Sequence, residues 1–130
     1  YEDAVKKHEA SKKYWYMKSE DLIQQEIVLD FNNKRPDLRG CLCYNLNNSI
    51  GGKRGRDNKF KGIIEGRSDL VLYFNKSAYH IELKTLTGTQ RPAQKEWQAT
   101  IENQGFEYVI IRSVESFWEY VEPIIKVKWQ

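Results

Sequence analysis

Two short segments constrain this chain more than any other part of it: Gly66-Arg67-Ser68-Asp69-Leu70-Val71-Leu72-Tyr73-Phe74 and His80-Ile81-Glu82-Leu83-Lys84. Both are apolar enough to be strands and few residues part them, so they read as a β-hairpin. Side chains alternate along a strand, which puts Glu82 and Lys84 on one face. Asn75-Lys76 is the expected turn, because Asn tolerates turn backbone. A two-residue turn sets Asp69 opposite Glu82 with both carboxylates on that face. A three-residue turn would set Asp69 opposite Leu83, on the wrong face. The other face would then carry Leu70, Leu72, Phe74, Ile81 and Leu83, a surface fit for burial. Two acids and a lysine on adjacent strands make a poor core. They are well suited to holding a divalent metal against a phosphodiester.

Glu-x-Lys by itself is weak, since a chain this rich in Glu and Lys should contain about one by chance. The bland alternative makes Asp69 a strand-start acid and Glu82 and Lys84 a solvated strand face. The order of the parts weighs against it. Gly-x-x-Asp opens one apolar strand, Glu-x-Lys closes the next, and Gly88 and Gln94 lead into a helix. This ordered set resembles the PD-(D/E)xK nucleases, and most closely the virus-type replication-repair nuclease (VRR-NUC) domain, over roughly Glu20 to Val121. The family pattern opens with a helix bearing Glu and Gln, here Glu20-x-x-x-Gln24, and continues through a basic Gly-containing segment to the two strands and a Gly-x-x-x-x-x-Gln helix start. Ser68 stands where the family usually has Pro, and Arg91 where a Ser is usual before Pro92. Neither departure removes a metal ligand.

The path along the chain agrees with helices flanking a small mixed sheet, an α/β fold in one domain over residues 1–130. Glu2 to Tyr16 looks helical without a clean stripe. Ser19 caps a helix running to about Asn32, with Glu20 and Asp21 in its first turn. There Glu20, Gln24, Ile27 and Phe31 share a face, and Glu26, the rival acid, lies off it. Cys41 to Leu46 is the first strand. Pro92 suits the first turn of the next helix, whose face carries Gln94, Trp97 and Ile101. Gly105 reads as its stop. Phe106 to Ile111 is an apolar strand of the buried, parallel type. Ser113 caps a last helix to about Val121, and Ile125, Val127 and Trp129 alternate with Lys126 and Lys128 as an edge strand would. Gln94, at a helix start beside Lys84, is expected to face the strand ends; the bland alternative is a surface Gln.

Charge is concentrated. Between Gly51 and Ser68 the basic residues Lys53, Arg54, Arg56, Lys59, Lys61 and Arg67 face only Asp57 and Glu65, a local +4 in a chain whose total is +3. The Gly and Asn content of Asn47 to Asn58 suits a flexible loop. A basic loop before the acid-bearing strand is what a phosphate-backbone clamp needs. Cys41 and Cys43 are spaced too closely on a strand for an unstrained disulfide, and His8 and His80 stand at no zinc-finger spacing to them, so free thiols of a reducing compartment are expected. No 18-residue apolar run and no signal-peptide pattern occur, so an intracellular, non-membrane domain is expected.

The resemblance implies a metal-dependent DNA endonuclease. Asp69 and Glu82 would bind Mg²⁺ or Mn²⁺, hard cations that prefer oxygen, and the family adds the backbone carbonyl of Leu83. Lys84 would steady the attacking hydroxide and the developing charge. Glu20 would complete a water-mediated shell or a second metal site, and Gln94 would contact the substrate or the site. Gln24, Lys53, Arg54, Arg56, Lys59, Lys61, Arg67 and Arg91 form the set expected to touch DNA. Small stand-alone members resemble homodimeric Holliday-junction resolvases, so branched DNA and a homodimer are expected. Cleavage would leave a 5′-phosphate and a 3′-hydroxyl. The alternatives are a flap or single-strand nuclease, or a non-catalytic DNA-binding module on the same fold.

Overall fold

The structure, a computed structural model, describes residues 18–45 and 61–126. Helix α1 spans Glu20–Lys34. Its N-cap is Ser19, whose hydroxyl accepts from the Leu22 amide at 3.1 Å, and Glu20 and Asp21 complement the helix dipole. Ile23, Ile27 and Phe31, four residues apart, form its buried stripe. Pro36 then starts a short 3₁₀ turn, Pro36–Leu38, whose Leu38 is fully buried.

The sheet has four strands in the order β1-β2-β3-β4, namely Leu42–Tyr44, Leu70–Phe74, Ser77–Leu83 and Glu107–Ile111. β1, β2 and β3 are antiparallel neighbours, and β4 joins β3 in parallel. The parallel step follows from helix α2, Pro92–Asn103, which carries the chain back between β3 and β4. α2 ends in a Schellman motif: Gly105 has φ +90° and donates to Glu102 O at 2.9 Å, and the Phe106 amide reaches Ile101 O at 3.2 Å.

The hairpin turn is the two-residue one. Asn75 and Lys76 have φ of 48° and 66°, the left-handed pair of a type I′ turn, and Phe74 pairs with Ser77. That register runs to Leu70 opposite Ile81, so Asp69 comes next beside Glu82. Leu70, Leu72, Phe74, Ile81 and Leu83 are all buried on the face expected for them, against Ile27 and Phe31 of α1 and Phe117 and Val121 of the last helix. α2 lies on the other face, where Trp97 meets His80 and Tyr108. The arrangement is three-layered, and the polar face of β2 and β3 opens beneath α2.

Some boundaries differ from expectation. The last helix, α3, spans Val114–Ile125 rather than ending near Val121. Pro123 lies within it, in the last turn, where its missing N–H removes one bond and its ring is tolerated. Phe117, Val121 and Ile125 then form one buried stripe, so Ile125 belongs to a helix and not to an edge strand. Burying Ile125 offsets the proline's cost. Trp118 stacks on Phe31, and its indole N–H donates to Asp30 at 2.7 Å. The first strand is shorter than expected. The expected helix at Glu2 to Tyr16, most of the basic loop, Leu46, Val127 and Trp129 lie outside the described residues. Among the described residues no helix is long and apolar enough to cross a membrane.

Candidate active site

Asp69 sits at the mouth of β2 and its backbone is fixed from both sides. Its carbonyl accepts from the Asn45 amide at 2.8 Å. The preceding Ser68 is fully buried, and its hydroxyl donates to Leu70 O at 3.1 Å. The Asp69 carboxylate crosses to the next strand and accepts from the Leu83 amide at 2.8 Å. It is thereby held beside Glu82, as the hairpin register requires.

Glu82 is 1 % exposed, Lys84 4 % and Gln94 4 %. Glu82 Oε1 accepts from Gln94 Nε2 at 2.9 Å and lies 3.7 Å from Lys84 Nζ. Lys84 Nζ is also 3.7 Å from Glu20 Oε1, so α1 brings its first acid to the lysine. Glu26 is turned away and pairs with Lys18 at 2.7 Å. Gln94 is buried at the start of α2, and its Oε1 accepts from the Arg91 amide at 2.8 Å, which aims its N–H₂ at Glu82. Asp69, Glu82, Lys84, Glu20 and Gln94, far apart in sequence, therefore meet in one place.

Gly66 makes this approach close. It has φ +85°, and a Cβ there would stand 2.3 Å from Ala93 O and 2.8 Å from the Gln94 amide nitrogen. Only a residue with no side chain lets the segment before β2 touch the first turn of α2.

Two carboxylates held this close repel one another. Burial pushes the Glu82 carboxyl up to about 8; the charge and hydrogen bond of Asp69 add to the push, and Lys84 opposes it. The Glu82 site thus favours a proton where no cation is present. The donors are carboxylate oxygens, the ligand type of Mg²⁺ and Mn²⁺, and a divalent ion would relieve the repulsion that raises Glu82. The residues fit such an ion. No cluster of three or more His, Cys, Asp and Glu side chains suited to a metal occurs among the described residues.

The VRR-NUC domain family model matches residues 15–115. The chain belongs to the VRR-NUC family. A solved VRR_NUC domain protein has the same fold, with a TM-score of 0.67 at 20% sequence identity, covering 85% of this chain and 90% of that one. No curated protein sequence matches the chain. This VRR-NUC domain is of nuclease type, built as a PD-(D/E)xK fold.

The expected DNA-contacting residues are less convergent. Lys61 and Arg91 are exposed. Arg67 is half-buried and donates to Asn45 Oδ1 at 3.1 Å, bracing the segment that carries Asp69. Gln24 lines a groove with Val28, Leu29, Leu42 and Tyr44, whose walls include none of the site's carboxylates. Lys53, Arg54, Arg56 and Lys59 lie outside the described residues.

Three residues that sequence reasoning passed over also belong to the VRR-NUC site. The Tyr108 hydroxyl stands 3.4 Å from Glu82 Oε2. Burial and then the Glu82 charge raise its pKa. Gln90 donates to the Tyr108 oxygen at 3.2 Å. Arg112 Nη1 donates to Thr85 O at 2.6 Å and Gly88 O at 2.7 Å, tying down the connection from β3 to α2. The alternation of β4 contained the signal for Tyr108, but only once His80 is known to be its partner.

Proposed function

We propose that this VRR-NUC domain is a metal-dependent, structure-selective DNA endonuclease of Holliday-junction resolvase type, working as a homodimer with Mg²⁺ or Mn²⁺. The observation that supports the reading best is the convergence of Asp69, Glu82 and Lys84, with Glu20 and Gln94, at one end of the β2–β3 hairpin. Asp69, Glu82 and the Leu83 carbonyl would hold the ion. When bound, it would polarise the phosphate and make water a better nucleophile at neutral pH. The Leu83 amide fixes one Asp69 oxygen, and Gln94 fixes Glu82 Oε1, so neither acid must reorganise as charge develops. Lys84 carries its positive charge between Glu82 and Glu20 and offers it to the developing phosphorane charge. Glu20, half-exposed on α1, can steady a water at the open side of the lysine.

The test is cleavage of junction, flap, duplex and single-strand DNA with Mg²⁺, Mn²⁺ or chelator. Metal-dependent nicking strongest on the junction is expected. A Lys84→Ala protein should fold and bind DNA but cleave on the order of 10²-fold more slowly, as for loss of a key electrostatic group. A wild-type rate in that variant would remove Lys84 from the mechanism. Cleavage confined to flaps or single strands would reassign the substrate, and binding without cleavage of any substrate would make the domain a non-catalytic DNA-binding module.

A further inference from the structure

We propose that Tyr108 is a positioning residue: its hydroxyl, oriented by Gln90, directs the Glu82 Oε2 oxygen and thereby sets how tightly the Asp69–Glu82 pair takes a divalent cation. The inference rests on the metal-dependent reading above.

The two oxygens of Glu82 are held unequally. Oε1 accepts from Gln94 at 2.9 Å, a full hydrogen bond, while Oε2 meets the Tyr108 hydroxyl at the longer distance of 3.4 Å. The Tyr108 donor at Oε2 is therefore the longer and weaker of the two. A phenol has one proton to donate and can accept in return. Gln90 Nε2 fills the accepting side of Tyr108 at 3.2 Å, which leaves the O–H free to turn toward Glu82. Gln90 is itself held, because the same nitrogen donates to Gln98 Oε1 on α2 at 2.8 Å. The Tyr108 ring is set against Trp97, with centroids 6.1 Å apart. β4 supplies the placement: it pairs Tyr108 with His80 and Ile110 with Glu82, so Tyr108 is one diagonal step from Glu82 on the same face. Gln94 thus donates to one Glu82 oxygen and the phenol stands at the other.

Outer partners that orient a ligating carboxylate are typically worth 10–100-fold in metal affinity. Mn²⁺ titrated by calorimetry into metal-free protein at fixed pH should bind Tyr108→Phe about 10–100-fold more weakly than wild type. Tyr120→Phe is the control. Tyr120 is also half-buried and also stands 3.4 Å from a carboxylate, that of Glu107, away from the site, and its loss should leave Mn²⁺ affinity unchanged. Gln90→Ala should weaken binding in the same direction, and adding it to Tyr108→Phe should cost nothing more, because it acts through the same hydroxyl. At saturating Mn²⁺ the cleavage rate of Tyr108→Phe should return to near wild type, with the defect confined to the metal requirement. Wild-type affinity in both Tyr108→Phe and Gln90→Ala, with binding lost in Asp69→Asn, would overturn this inference and leave the metal reading standing. A wild-type protein that takes up no Mn²⁺ would overturn both.

Discussion

Glu82 is almost wholly buried beside a second carboxylate, and a protein optimised for stability alone would not place it there. Its folded-state pKa, pushed up to about 8, lies above the ordinary 4.5. The native state therefore holds a proton that the unfolded chain releases, and the stability this provides is full below about 4.5 and is lost as pH rises through about 8. His80 acts oppositely: burial and the charge of Arg67 lower its pKa, so its contribution fades as pH falls below its ordinary 6.5. Comparing variants cancels the histidine. In chelator, Glu82→Gln should be more stable than wild type at pH 8, with an advantage that shrinks toward pH 5 by up to about 1.4 kcal/mol per pH unit. It should also be inactive. Urea denaturation at several pH values measures the difference, and an advantage independent of pH would mean that Glu82 stays ionised when buried. Adding Mg²⁺ should narrow the gap by stabilising the wild type alone, since a ligand that binds only the native state adds to stability.

The elements meet at the site through contacts of different kinds, and these kinds decide what could be read from the sequence. Gly66 presses the β2 approach onto the first turn of α2, while Gly62 has φ +100° and nothing within 4 Å of its absent Cβ. Gly62→Ala should cost only the left-handed backbone, on the order of 1 kcal/mol. Gly66→Ala must also push Ala93 and Gln94 aside, so it should cost about 2 kcal/mol or more and slow cleavage by moving the Gln94 amide off Glu82. Equal losses in the two variants, by urea denaturation, would show that α2 yields freely at Gly66. The hairpin was legible because strand parity and a two-residue turn are local rules, and together they fix Asp69 beside Glu82. Helix α1 was legible through Ser19 and the spacing from Glu20 to Phe31. Tyr108 and Gln90 were not, because a parallel pairing made across a crossover helix leaves no local mark: nothing near Tyr108 announces that it will stand one step from Glu82. The end of α3 was misread for a related reason. Alternation from Ile125 to Trp129 suggested a strand, but the core contact of Ile125 with the stripe of Phe117 and Val121 carries the helix past Pro123.

For the whole molecule, charge and symmetry are the deciding quantities. The stretch from Gly51 to Ser68 carries more positive charge than the entire chain nets, so the rest of the protein is slightly acidic and would repel a nucleic acid at long range. Replacing Lys53, Arg54 and Arg56 together with neutral residues should weaken DNA binding and make log affinity less steep against log salt, by up to about 0.9 per lost phosphate contact on duplex DNA. Thermal stability should change little if these charges act on DNA rather than in folding. An unchanged slope would place the backbone contacts elsewhere. A junction adds a demand that charge alone cannot meet. It has two strands to cut symmetrically, and one Asp69–Glu82–Lys84 site would serve one strand, so the proposed resolvase would need a second copy, related by a two-fold axis, for the second cut. Ile125 is 5 % exposed and finishes the core of its own chain, so it is not available to such an interface. Among the described residues Leu29, 63 % exposed, and Tyr44, 52 % exposed, leave apolar surface uncovered. Light scattering at micromolar concentration, with and without junction DNA, should give a dimer mass. A monomer mass in both conditions would reject the dimer, and with it the symmetric resolvase reading, in favour of a nuclease that cuts one strand of a flap or a single strand.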